Sequence, residues 1–142
     1  MRVAVLNGVN LDVLARRDPA LYGGLGLAEL ESRIYEWSKE LEFSTRCRQT
    51  NHEGQFVDWC HDALDWADGV VLNPGAWSHY SYAIRDAVEL FTVPVVEVHL
   101  SKIEEREEWR RRSVLDELSA KRITGKGPDG YREALWFLAA QR

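Results

Sequence analysis

The chain has 142 residues, a formal net charge of −5 at neutral pH, and 45% hydrophobic against 29% charged residues. This length suits one domain over residues 1–142 with a core of its own, and the balance is that of an ordinary globular protein. The acidic total argues against nucleic acid as the main partner, and no apolar run reaches the ~20 residues of a membrane span.

Met1–Leu6 reads as a first strand rather than a signal peptide, so the expected location is cytoplasmic, with no membrane partner. Two cysteines, Cys47 and Cys60, are too few for a disulfide framework and fit no zinc spacing; two buried thiols are the expectation. Asn7-Gly8 ends the first aliphatic run and opens a long, Gly-punctuated connection, residues 10–26, of the length common in active-site lids. Leu27, Leu30, Ile34, Trp37 and Leu41 repeat at helical spacing, and residues 43–48 alternate as a second strand. The polar turn 49–54 opens a helix lined by Phe56, Trp59, Cys60, Ala63, Leu64 and Trp66.

Gly69-Val70-Val71-Leu72 is the third strand, followed by a helix over 78–91 and a fourth strand over 93–98. The run 101–112 is dense in charge and predicts a solvated helix. A short fifth strand at 118–123, a turn at 125–130 and an amphipathic helix at 131–140 complete the chain. Strands alternating with helices predict a doubly wound, five-stranded parallel sheet with helices on both faces.

In such sheets ligands bind beyond the carboxyl ends of the strands. Asn73-Pro74-Gly75 ends one buried strand, with His79 just beyond; His99 and Ser101 end the next. Two strand ends therefore bring an amide and two imidazoles to one candidate crevice.

These residues resemble one family, type II 3-dehydroquinate dehydratase, a small flavodoxin-like enzyme. The resemblance rests on five blocks in family order: 6–11; 17–23; 49–54; 73–76 with Ser78, His79 and 85–87; and 97–101 with Arg106, Glu107 and Arg110. Gly125, Gly127, Gly130 and Tyr131 close the pattern. The resemblance implies elimination of water from a cyclic β-hydroxy ketone acid by way of an enolate, without metal, Schiff base or organic cofactor.

By position, Tyr22 matches the family's base, Arg17 the guanidinium that favours its phenolate, and His99 the general acid. Glu97 lies two residues before His99, on the same face of a strand, where a carboxylate orients an imidazole. Asn73 matches the residue beside the departing hydroxyl, Leu100 and Ser101 the backbone N–H groups for the substrate carboxylate, and His79 and Arg110 the holders of ring hydroxyls. Asp86 matches a residue that reaches a neighbouring subunit's site. The resemblance thus implies a homo-oligomer of trimers, usually four in a dodecamer.

Asp12 and Lys102 stand where the family has Asn, Trp77 and Tyr80 replace a usual Tyr and a usual small residue, and Val9 replaces a usual Pro. The family's Asn steadies a water beside the enolate oxygen, so a carboxylate at 12 would oppose the developing charge unless protonated or paired. Asp12 and Lys102 could be a compensating pair, or could serve a differently charged ligand. The rival readings are therefore a paralogue that dehydrates a related acid, such as an amino-substituted dehydroquinate, and a ligand-binding homologue with weakened turnover. A flavodoxin-type electron carrier lacks its phosphate loop here, and a (β/α)₈ dehydratase needs about 250 residues.

Overall fold

The computed structural model describes all residues 1–142. Five strands, β1 (Arg2–Asn7), β2 (Ser44–Gln49), β3 (Gly69–Asn73), β4 (Val95–His99) and β5 (Lys121–Thr124), form one parallel sheet in the order β2-β1-β3-β4-β5. The fold is the doubly wound, flavodoxin-like α/β sheet. Five helices accompany it: α1 (Pro19–Tyr22), α2 (Leu27–Glu40), α3 (Glu53–Leu64), α4 (Tyr82–Glu89) and α5 (Asp129–Ala140).

Side chains alternate across the central strands, so each face carries its own core. Val3, Val5, Val71, Val96 and Val98 pack against Leu30 and Ile34 of α2 and Leu135 and Leu138 of α5. Ala4, Leu6, Val70, Leu72 and Val95 pack against Phe56 and Cys60 of α3 and Ile84 and Val88 of α4. β1 and β3 are buried on both sides, which is why they read as continuous aliphatic runs. Burial pushes the Cys47 and Cys60 thiols up to about 12, so both remain protonated and inert.

The strand order reverses between β1 and β3, whose last residues, Asn7 and Asn73, are register partners. The loops leaving them are locked together there. Gly8 N–H donates to the Asn73 carbonyl at 2.8 Å, and any side chain at Gly8 would strike the Pro74 carbonyl. Gly75 sits at φ 64°, where a Cβ would also come within 2.8 Å of the Val9 carbonyl.

Three expected elements differ. The helix expected over 78–91 is a 3-10 turn, Gly75–His79, followed by α4; Ser81 caps α4 by accepting from Ile84 N–H at 3.1 Å, so the helix starts only there. The solvated helix expected over 101–112 is instead two 3-10 turns, Ile103–Glu105 and Glu108–Arg110, because Ile103, Arg106 and Arg110 turn inward. The 10–26 connection contains a 3-10 segment, Leu11–Arg16, and α1, which is capped by Asp18.

Candidate active site

A cavity of about 250 Å³ lies beyond the carboxyl ends of β1, β3 and β4. Asn73, at the end of β3, and His99, at the end of β4, form its floor. Arg17 and Tyr22 enter from the connection after β1, His79 from the 3-10 turn after β3, and Leu100, Ser101, Arg106 and Arg110 from the segment after β4. Three guanidinium groups line the cavity and no carboxylate does, although the chain as a whole is acidic. Such a cavity suits an anionic ligand.

Tyr22 is buried, and its hydroxyl oxygen is gripped twice. Arg17 Nη2 donates to it at 2.5 Å and Arg106 Nη1 at 2.6 Å. Arg17 also lies over the phenol ring, 3.9 Å from its centre. Burial lowers the Arg17 pKa, the Tyr22 oxygen raises it, and Arg110 and Arg106 lower it further; a guanidinium stays charged through such shifts. Two charge-assisted donors therefore converge on one phenol oxygen. α1 makes this geometry possible: Gly23 ends it at φ 92°, and Tyr22 is held in the core while Arg17 stays half-buried.

His99 is paired with the fully buried Glu97, Nε2 to Oε2 at 2.5 Å. Ser113 Oγ donates to the other carboxylate oxygen at 2.7 Å and itself accepts from Leu115 N–H. A buried carboxylate is tolerated only when its oxygens are satisfied, and here both are. His99 is thereby fixed with Nδ1 as its other ring nitrogen. His79 stacks on it, ring centres 5.9 Å apart. Nδ1 of His79 donates to the Arg112 carbonyl at 2.7 Å, which leaves Nε2 as an acceptor. Burial, above the opposing effect of that carbonyl, lowers the His79 pKa and keeps the ring neutral.

Arg110 is anchored by Glu107 and lies against the Trp109 ring, 4.0 Å from its centre. The carbonyls of Leu100 and Ser101 accept from Gly127 and Gly125 N–H at 3.1 Å each, pinning that segment at the cavity wall.

Three of the expected site residues do not line the cavity: Asp12, Asp86 and Glu97, the last of which lies behind His99 and is paired with it. Asp12 is exposed; its Oδ2 accepts from Asn51 Nδ2 at 2.9 Å, and Asn51 Oδ1 accepts from Asn10 N–H at 2.8 Å. Lys102 pairs with Glu105 at 3.2 Å. The compensating Asp12–Lys102 pair is therefore not formed within the chain, because each charge has a nearer partner. Trp77 packs edge-on against Phe56 in the core, and Tyr80 is exposed.

The sequence alone assigns no role to Arg106, Ser113, Trp109 or Tyr131; for Arg106 the only signal is its place in the fifth family block.

The class II dehydroquinase family model matches residues 1–139. This chain belongs to the class II dehydroquinase family. It is 46% identical over 135 residues to a 3-dehydroquinate dehydratase of Bacillus licheniformis, covering 95% of this chain and 93% of that protein. It is 47% identical over 136 residues to a 3-dehydroquinate dehydratase of Deinococcus radiodurans, covering 95% of each. The crystal structure of the type II dehydroquinase from Propionibacterium acnes superposes with a TM-score of 0.94 at 42% identity, covering 98% of this chain and 96% of that one. Similarity spans the sheet and every cavity-lining segment of the dehydroquinase fold, not one motif alone.

Proposed function

We infer that this chain dehydrates 3-dehydroquinate to 3-dehydroshikimate. The observation that carries the reading is a phenol oxygen held between two guanidiniums, in one cationic cavity with a carboxylate-backed histidine. Tyr22 as phenolate takes the proton next to the ketone, and the electron pair passes to the carbonyl oxygen as an enolate. Collapse of the enolate forms the ring double bond and expels the β-hydroxyl, which leaves as water with a proton from His99. Glu97 supports the imidazolium before that transfer. Asn73 holds the substrate near the departing hydroxyl. Arg110 and the Nε2 of His79 hold ring hydroxyls, and the backbone N–H groups of Leu100 and Ser101 receive the carboxylate.

The place of Asp12 favours this substrate over an amino-substituted one, since an ammonium in the cavity would meet three guanidiniums and no carboxylate. The experiment is a comparison of kcat/KM for 3-dehydroquinate and its amino analogue. Preference for the amino compound would sink the assignment. Asp12→Asn is expected to leave kcat/KM for 3-dehydroquinate within about threefold, because an Asn oxygen can still accept from Asn51 and such exposed hydrogen bonds are worth about 1 kcal/mol or less. A rise of an order of magnitude would show that the carboxylate opposes the enolate after all.

The working protein is a homo-oligomer of trimers, a dodecamer in the full assembly. Asp86 is exposed on α4, and Tyr80, Tyr82 and Leu90 beside it are all more than half exposed, an apolar surface that association would cover. Light scattering at micromolar concentration is expected to give a multiple of three chains. A fully active monomer would remove any shared site.

A further inference from the structure

Asn73 carries an amide that must present one particular face to the cavity, yet its rotamer could flip with little change in shape. Its orientation is set by three groups. Gly75 N–H, which can only donate, lies 3.2 Å from Asn73 Oδ1. Nδ2 is thereby turned to the Tyr131 hydroxyl, to which it donates at 2.9 Å. The Tyr131 hydroxyl, with that lone pair used, donates onward to Asn7 Oδ1 at 2.6 Å.

The chain of bonds has a single polarity, running from the loop after β3 into the core. Tyr131 comes from α5, at the far end of the sequence, and is fully buried among apolar side chains. Burial raises its phenol pKa, so the hydroxyl keeps its proton. The last member, Asn7, is left with its buried Nδ2 lacking any acceptor. A buried donor without a partner is unfavourable and calls for an explanation. Reversing both asparagines would not remove the problem, since it would set Asn73 Nδ2 against the Gly75 N–H.

We propose that Tyr131 is a positioning residue, which locks the Asn73 amide so that its second Nδ2 hydrogen is directed to the ligand. This rests on the reading of Asn73 as a substrate-binding residue. The test uses Tyr131→Phe, which keeps the ring and removes only the hydroxyl.

The first readout is hydrogen exchange of the Asn73 side-chain amide by heteronuclear NMR, with the signals assigned by their loss in Asn73→Ala. Exchange should be slow in the wild type and faster in Tyr131→Phe. Asn7→Ala leaves the ring in place but frees the hydroxyl to rotate, and should act in the same direction. Unchanged exchange in both variants overturns the proposal, whatever the substrate proves to be.

The second readout is kcat/KM for 3-dehydroquinate. Tyr131→Phe should lower it about three- to tenfold, the value of one net hydrogen bond, and should have no effect in an Asn73→Ala background. A cost that persists in that background means Tyr131 is merely structural, and overturns the proposal. An inactive wild type would contradict the dehydratase reading alone, and the exchange result would then decide the role of Tyr131.

Discussion

Tyr22→Phe is expected to lower kcat for 3-dehydroquinate by at least ~100-fold, with the fold retained. General acid–base groups are worth about 10²–10⁴-fold, and the change removes the one oxygen on which Arg17 and Arg106 converge. The ring stays to fill its place among Leu11, Leu14 and Leu25, so the core loses no volume beyond the hydroxyl. The two guanidiniums lose a shared acceptor but keep some contact with solvent, since neither side chain is fully buried. The loss should therefore fall on turnover rather than on stability. Steady-state kinetics beside a thermal melt will separate the two. A variant that keeps more than about a tenth of wild-type kcat places the base elsewhere, since no general base is worth so little.

His99→Ala should be comparably damaging to kcat, by ~10²–10⁴-fold, and should also cost stability. The imidazole gives the departing hydroxyl its proton, and it is the only ring paired with Glu97. Its removal leaves a fully buried carboxylate with the Ser113 hydroxyl as its remaining partner. Leaving a buried acceptor short of a hydrogen-bond partner costs about 1–3 kcal/mol, so the melting temperature should drop with activity. Kinetics must be taken well below that melt. Retention of more than about a tenth of kcat under those conditions would show that the hydroxyl leaves with a proton from another donor.

Tyr22 and Arg106 differ in how much of their role the sequence alone carries. The parallel sheet was legible because β1, β3 and β4 are buried on both faces and are mostly aliphatic, with polar residues at the carboxyl ends of β1 and β3 and at Glu97 and His99 of β4. α2 and α3 were legible from one apolar stripe each. The end of β3 was legible as a site because Asn-Pro-Gly followed a buried strand. By contrast, the charged run 101–112 carries no stripe and no spacing that separates an inward arginine from a solvated one. Arg106 and Arg110 turn in, while Arg111 and Arg112 stay exposed; Arg106 is set apart by its contact with Tyr22, 84 residues earlier, and Arg110 by its place in the cavity wall. Tyr131 stands in the closing block of the family pattern, but its role is not legible there, since its partners Asn73 and Asn7 lie 58 and 124 residues away. Asp12 lies in a strand-end loop as expected, and its carboxylate is directed to Asn51, a residue 39 positions on.

The measurement that bears most directly on the central claim is the absorbance of the conjugated enone when purified wild-type protein meets 3-dehydroquinate. A rise proportional to enzyme concentration is expected, with its rate unchanged by a chelator and lost in Tyr22→Phe. No enone from the folded wild-type protein at any enzyme concentration, or an equal rate from Tyr22→Phe, would contradict that claim.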